Sequence, residues 1–99
     1  MTYVIFEVKS EDAGKINKLI KDDLVSRQSI LTRDAKSLNL KGEFTYLKIE
    51  GSKEGLKKAE EFAKELKFKK LDKKKANEID KKIQEQEDSA ATGMGMIFD

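Results

Sequence analysis

The chain has 99 residues, a length that predicts one domain with a modest hydrophobic core. It contains no Cys, His, Trp or Pro, which excludes disulfides, thiolate chemistry, histidine bases and the usual zinc ligand sets. Charged residues make up 40% of the chain, yet the net charge is only +2, a nearly balanced lysine and glutamate mixture of the kind enriched in thermophile proteins.

Residues 2–8 are rich in β-branched and aromatic side chains and predict a first strand. One face of this strand would carry Val4, Phe6 and Val8, and the other would carry Tyr3, Ile5 and Glu7. The N-terminus lacks the basic flank and apolar length of a signal peptide, and no segment approaches the roughly 20 apolar residues of a membrane span. We therefore expect a cytoplasmic protein.

A first helix is predicted next, with candidate caps at residues 10–12. Its apolar stripe, at helical spacing, would be Ile16, Leu19, Ile20 and Leu24. Residues 26–29 break this pattern. Residues 30–40 then predict a long strand that is interrupted near Asp34 or continuous through it.

Lys41 and Gly42 predict a hairpin turn, and residues 43–50 show the clearest alternation in the chain. Thr45, Leu47 and Ile49 would share one face of this strand, and Phe44 and Tyr46 would share the other.

Gly51 and Ser52 end the strand and predict the start of a second helix. Its apolar positions are Leu56, Ala59, Phe62, Ala63 and Leu66. Its opposite face carries lysines and glutamates at spacings that predict ion pairs within the helix. These residues are Lys57, Lys58, Glu60, Glu61, Lys64 and Glu65.

Residues 67–71 predict a short fourth strand, and Asp72 is a good N-cap for a third helix over about residues 73–88. The apolar stripe of this helix is narrow: Ala76, Ile79 and Ile83. Residues 89–91 are small and predict a joint before the apolar C-terminal tail.

This order of elements predicts an α+β fold, a ferredoxin-like βαββαβ split sandwich over residues 1–71, with a C-terminal helix and apolar tail over residues 72–99. Two amphipathic helices would cover one face of an antiparallel sheet. The other face, on the two central strands, would carry Tyr3, Ile5, Phe44 and Tyr46.

An open sheet face of this kind predicts an interaction surface. Together with it we consider the apolar tail residues, since a terminus that orders must bury apolar surface: Met94, Met96, Ile97 and Phe98. Three alternatives remain open at this point: the third helix and tail cover the face within the chain, a second copy covers it in a homodimer, or nucleic-acid bases stack on its aromatic side chains.

Residues 42–49, Gly-Glu-Phe-Thr-Tyr-Leu-Lys-Ile, resemble the aromatic third-strand signature of RNA-recognition-motif domains. They depart from it by the extra Glu43, by Thr45 in place of a small residue and by Ile49 in place of the terminal aromatic residue. The resemblance implies a single-stranded RNA binder that uses the sheet aromatics.

Residues 4–8, followed by Glu-Asp-Ala-Gly-Lys-Ile at 11–16, resemble the opening of ACT-type small-molecule-binding regulatory domains, with Ala13 where that family has proline. The resemblance spans about the first seventy residues. It implies a regulatory domain with Asp12 and Gly14 at an amino-acid site between subunits. Without the resemblance, Gly14 reads as a residue that permits close backbone approach at a helix start.

A basic run could contact phosphate: Lys67, Lys69, Lys70, Lys73, Lys74 and Lys75. A solvated sheet edge and first helical turn would give the same pattern, because lysine protects edges from further pairing. The near-zero net charge argues against a dedicated nucleic-acid binder.

The sequence shows no nucleophile–base pair, phosphate-cradling glycine loop or cluster of metal ligands, so we predict no catalytic residues, no metal and no cofactor. The preferred interpretation is a binding, regulatory or accessory protein acting through protein contacts, including self-association as a homodimer. The alternatives are a single-stranded RNA-binding domain and a small enzyme using carboxylate or lysine chemistry.

Overall fold

A computed structural model describes the backbone of residues 2–98 and the side chains of residues 2–87. The strands are β1 (Thr2–Lys9), β2 (Ser29–Asp34), β3 (Phe44–Gly51) and β4 (Lys69–Lys70). The α-helices are α1 (Ile16–Ile20), α2 (Asp23–Ser26), α3 (Lys53–Glu65) and α4 (Lys73–Phe98). Two 3₁₀ segments, Ser10–Lys15 and Lys36–Leu38, follow β1 and β2. The chain is thus a mixed α+β protein.

The four strands form one antiparallel sheet in the order β2-β3-β1-β4. Helices α1–α3 pack on one face of this sheet, around Phe6, Leu19 and Leu47. Helix α4 packs on the other face, where Ile79 and Ile83 are buried. The sheet therefore separates two hydrophobic cores.

The predicted alternation of side chains along β1 and β3 is confirmed. The core beneath α1–α3 contains Val4, Phe6, Val8, Leu47 and Ile49. The core beneath α4 contains Ile5 and Tyr46, with Tyr3 and Phe44 packed at its margin. The period of two in these strands is strict, because one face of each strand meets each layer of helices.

The single first helix predicted from residues 16–24 is wrong: the segment is broken between α1 and α2. The Asp22 carboxylate accepts hydrogen bonds from the backbone N–H groups of Leu24 and Val25, both at 3.1 Å, and so caps a new helix. The break rotates the following turn, and Val25 is fully buried in place of the half-buried Leu24. A capping carboxylate in mid-segment outweighed the apolar spacing.

Of the two alternatives for residues 30–40, the interruption near Asp34 is confirmed, because β2 ends there, but no strand resumes before Phe44. The Ala35 N–H still donates to the Phe44 carbonyl at 2.8 Å, and the chain then turns through the second 3₁₀ segment. Two residues of this connection adopt positive φ, Asn39 at 59° and Gly42 at 100°. The turn predicted at residues 41–42 therefore belongs to a longer connection.

Ser52 caps α3 as predicted, since its Oγ accepts a hydrogen bond from the Gly55 N–H at 3.1 Å. The side chain of Gln28 lies over this helix start. Its amide nitrogen donates to the Leu24 carbonyl at 3.0 Å, and its amide oxygen accepts from the Ser52 N–H at 2.9 Å. A Cβ added at Gly55 would lie 2.3 Å from the Gln28 Cδ, so the glycine leaves room for this bridge between α2 and α3.

Helix α4 begins as predicted after Asp72, whose carboxylate accepts from the Lys75 N–H at 2.8 Å. The backbone of α4 continues as helix to Phe98, so the predicted joint at residues 89–91 does not interrupt it. The side chains of Met94, Met96, Ile97 and Phe98 lie outside the described part of the chain. The prediction that the tail packs on this sheet or on a partner stays a prediction.

Polar contacts also hold α4 on the sheet. The Lys48 ammonium pairs with the Asp80 carboxylate, and both side chains are nearly buried, at 15% and 12% exposure. The Gln84 amide donates to the other Asp80 oxygen at 2.8 Å. Lys48 also lies over the Tyr3 ring, 4.9 Å from its centroid.

Candidate binding cleft

One edge of the sheet is left open beside the N-terminal half of β1. Strand β4 has two residues and pairs only with Phe6 and Glu7. The Leu71 N–H donates to the Ile5 carbonyl at 3.0 Å, after which the chain turns into α4. Because β4 is so short, α3 on one face of the sheet and the start of α4 on the other flank an uncovered stretch of β1, which forms a cleft.

The backbone of β1 presents hydrogen-bonding groups to this cleft. Since the Ile5 carbonyl points toward β4, alternation along the strand points the Tyr3 N–H and carbonyl the same way. Continuing the β1–β4 register would place residue 73 opposite Tyr3, and that residue is already in α4. The open edge can therefore accept a further extended chain.

The cleft combines an apolar floor with a basic rim. The floor is formed by Val4, Ile5, Leu56, Leu71 and Ala76. The charged residues of the rim are Lys53, Lys57, Lys70, Lys73, Glu60 and Asp72. Lysines thus outnumber carboxylates, and the surface suits a ligand that is apolar on one side and anionic on the other.

Both carboxylates of the rim are already engaged, Glu60 by Lys70 and Asp72 by the first turn of α4. Among the side chains that the structure describes, Lys53, Lys57 and Lys73 have no carboxylate within 4.0 Å. Lys73 also stands at the positive end of the α4 dipole. An incoming anion would therefore meet three uncompensated ammonium groups.

The predicted basic run is divided by the fold. Of its six lysines, Lys70 and Lys73 line the cleft, and Lys75 lies 3.9 Å from the Glu7 carboxylate on the α4 side of the sheet. Lys67, Lys69 and Lys74 are exposed and do not line the cleft. The run is therefore not one continuous contact surface.

Sequence reasoning missed Lys53, to which it gave no role, and Lys57, which it assigned to the solvent-facing side of α3. The ion pairs predicted within that helix are absent from the described side chains, and Glu60 pairs instead with Lys70 of β4. The spacing of Lys53 and Lys57, one turn apart at the start of a helix, is the one signal that could have indicated a shared face.

Asp12 and Gly14, the residues implied by the ACT resemblance, lie at the other end of β1. Asp12 pairs with Lys15 at 3.3 Å within the first 3₁₀ segment. Gly14 is exposed, and a Cβ added to it would have no neighbour within 4 Å, so the alternative of close backbone approach is wrong. Neither residue lines the cleft.

The predicted interaction surface of sheet aromatics lies beneath α4 in this chain. Ile5 and Tyr46 are almost fully buried, and Tyr3 and Phe44 are half-buried. The Tyr3 hydroxyl donates to the Asn77 side-chain oxygen on α4. Burial and the nearby Asp80 carboxylate raise the pKa of Tyr3.

Tyr46 forms a second polar contact beneath α4. Its hydroxyl donates to the Glu7 carboxylate at 3.2 Å. The pKa of Tyr46 is raised to about 12, mainly by burial and then by the Glu7 charge and this hydrogen bond. The neutral phenol is therefore the form that the folded chain favours.

We expect the stability of the protein to fall as the pH rises from 10 to about 12, because the unfolded chain releases the Tyr46 proton first. Below pH 10 the phenol is neutral in both states and its contribution is fully present. Denaturant unfolding of the wild type and of Tyr46→Phe across this range measures the effect. The difference between their free energies of unfolding should change by about 2 kcal/mol, and a pH-independent difference would contradict the assignment.

The described side chains contain no group of three or more carboxylates that could hold a metal ion. Within the described part of the chain, no helix combines the length and the apolar character that crossing a bilayer requires. Comparison of the chain with protein-family models, with curated proteins and with solved structures found no match.

Proposed function

We propose that this chain is a protein-binding accessory domain that holds an extended, acidic segment of a partner protein in the cleft between α3 and α4. The observation that carries the proposal is the set of three lysines without carboxylate partners around an apolar floor. Glutamate or aspartate side chains on one side of the segment would meet Lys53, Lys57 and Lys73. Apolar side chains on its other side would pack on Leu56 and Leu71.

The open edge of β1 supports an extended rather than a helical partner. A strand added beside Tyr3 would gain main-chain hydrogen bonds, and its alternating side chains would reach the floor and the rim in turn. The site is short, because only the N-terminal half of β1 is uncovered. Affinity should therefore depend strongly on charge.

A protein segment is favoured over RNA by the position of the aromatics. Stacking of bases requires exposed rings, and Tyr46 is only 4% exposed beneath α4. Tyr3 is the one aromatic side chain that lines the described cleft, and Asn77 holds its hydroxyl. RNA binding is accordingly an outcome that would overturn the proposal.

The strand order β2-β3-β1-β4, with helices between β1 and β2 and between β3 and β4, supports a ferredoxin-like arrangement for residues 1–71. A binding role rather than an enzymatic one is supported by the lining of the cleft, which offers ammonium groups and apolar side chains for contact with a partner.

We expect the triple variant Lys53→Gln, Lys57→Gln, Lys73→Gln to bind an acidic peptide about tenfold more weakly than the wild type, since each lost ion pair contributes about 0.5 kcal/mol. The probe is a synthetic peptide in which glutamate alternates with valine, and calorimetric titration at low salt measures its affinity. The matched control removes three exposed lysines elsewhere: Lys18→Gln, Lys36→Gln, Lys64→Gln.

The control variant has the same net charge as the test variant, so it separates the cleft from the overall field of the protein. Two further peptides carry N-methyl groups on alternate residues, one on the odd-numbered and one on the even-numbered positions. One of them should lose binding and the other should keep it, because only every second N–H group of the bound peptide faces β1. Equal weakening by both lysine triples would overturn the proposal. Tighter binding of single-stranded oligouridylate than of the peptide would overturn it in favour of RNA.

A further inference from the structure

The outer edge of β2 is the longest unpaired strand edge in the described part of the chain. The hydrogen bond from Ala35 to Phe44 shows that odd-numbered residues of this segment point their backbone groups toward β3. Ile30, Thr32 and Asp34 therefore point their N–H and carbonyl groups away from the sheet. No described strand lies beside them.

The two edges of the sheet are protected very differently. Strand β4 has two residues, both lysines, which discourages pairing along β4 itself and leaves only a short uncovered stretch of β1 on that side. Strand β2 is three times as long, its register with β3 runs without a bulge, and its two charged residues, Arg33 and Asp34, lie together at its C-terminal end. In a chain this rich in lysine, none falls between residues 22 and 35. A strand edge without lysine is suited to pairing with another strand.

Helix α4 crosses the sheet from the β4 edge to the β2 edge and continues. Near β2, the Arg33 Nε donates to the Gln86 side-chain oxygen at 2.9 Å, and Arg33 lies 3.5 Å from the Glu87 carboxylate. The Gln86 amide donates in turn to the Ser37 carbonyl at 2.7 Å. Residues 88–98 extend the helix by roughly 16 Å beyond these contacts.

We propose that β2 pairs with β2 of a second copy of this chain, in an antiparallel arrangement whose twofold axis passes beside Leu31. In this register Leu31 faces Leu31, Ile30 faces Thr32, and Arg33 faces Ser29, so no like charges stand opposite each other. The half-buried Ile30 and Leu31 would join the cores of the two copies across the axis.

The extension of α4 is the reason for choosing a second copy over an unrelated strand. A helix that passes the edge of its own sheet has the paired sheet of the second copy in its path. The sequence of the extension is free of lysine and carries four large apolar residues near its end, residues 94, 96, 97 and 98. Two such helices, related by the same axis, would enlarge the interface well beyond one pair of strands.

The experiment is the mass of the protein in solution over a range of concentrations, measured by sedimentation equilibrium. We expect a dimer for the wild-type chain of 99 residues. Thr32→Pro should weaken it at least tenfold, because it removes an N–H that faces the second copy while sparing every bond to β3. A chain that ends at residue 91 should also dissociate more readily.

Thr32→Lys is a second test variant, because a lysine on the strand edge opposes pairing without constraining the backbone. It keeps the proposal testable if the proline variant fails to fold. Thr2→Lys is the matched control on β1, since it adds the same charge at an exposed strand residue that β3 separates from β2. The far-ultraviolet circular dichroism of each variant checks its fold. A wild type that stays monomeric at high concentration, or a dimer unaffected by both Thr32 variants, would refute the proposal.

Discussion

Replacing Asp80 by Ala should lower the free energy of unfolding by about 3 kcal/mol, measured by urea denaturation. The change leaves the Lys48 ammonium beneath α4 without its carboxylate and removes the acceptor of the Gln84 amide. A nearly buried charge without a partner is among the costliest single defects in a protein interior. The pair holds α4 on the sheet, so the loss should appear as reduced cooperativity or a lower midpoint.

Two further variants isolate the cause of this loss. Lys48→Met combined with Asp80→Leu should recover most of the stability, because it removes both charges and fills the space with apolar atoms. Asp12→Ala breaks an exposed ion pair with Lys15 and should change the stability by no more than about 0.5 kcal/mol. A double variant as unstable as Asp80→Ala would show that packing, and not the orphaned charge, carries the effect.

Ile83→Ala should cost about 3 kcal/mol of stability, because Ile83 is 2% exposed and its loss leaves a cavity between α4 and the sheet. Thermal unfolding monitored by circular dichroism measures the cost. Lys81→Ala, at an exposed position two residues earlier in the same helix, is the control and should be nearly neutral. An Ile83 variant as stable as the control would mean that α4 is not packed as described.

The same variant bears on the RNA alternative. Weakening α4 would expose Tyr46 and Phe44, the side chains on which bases would stack. RNA affinity that appears in Ile83→Ala, but not in the wild type, would identify α4 as a cover over a latent RNA-binding face. Affinity in neither protein would leave the aromatics with a packing role alone.

Strand faces and helix caps were predictable from the sequence because they depend on neighbours close along the chain. The alternation of residues 2–8 and 44–49 assigned side chains to the correct faces, and Ser52 and Asp72 cap the helices they precede. At residues 16–24 two local signals conflicted: the apolar spacing predicted one continuous helix, and the Asp22 carboxylate predicted a new helix start. The prediction followed the apolar spacing, and the structure follows the cap at Asp22.

The cleft was not predictable, because it depends on where chain segments meet. The cleft exists because β4 ends after two residues and leaves part of β1 uncovered. The lysines at residues 67–75 do not indicate where the strand ends. The charge of the cleft depends on Glu60 turning to Lys70 of another element instead of to lysines in its own helix. Both facts belong to tertiary structure, as does the covering of the sheet aromatics by α4.

The bridge made by Gln28 has a consequence for how this sequence can change over time. A methyl group at position 55 would displace the Gln28 amide and break its hydrogen bonds to Leu24 and Ser52. The glutamine and Gly55 therefore constrain each other although 27 positions separate them in the chain. We expect the two positions to covary among homologous sequences, so that alanine at position 55 is accompanied by a smaller side chain at position 28.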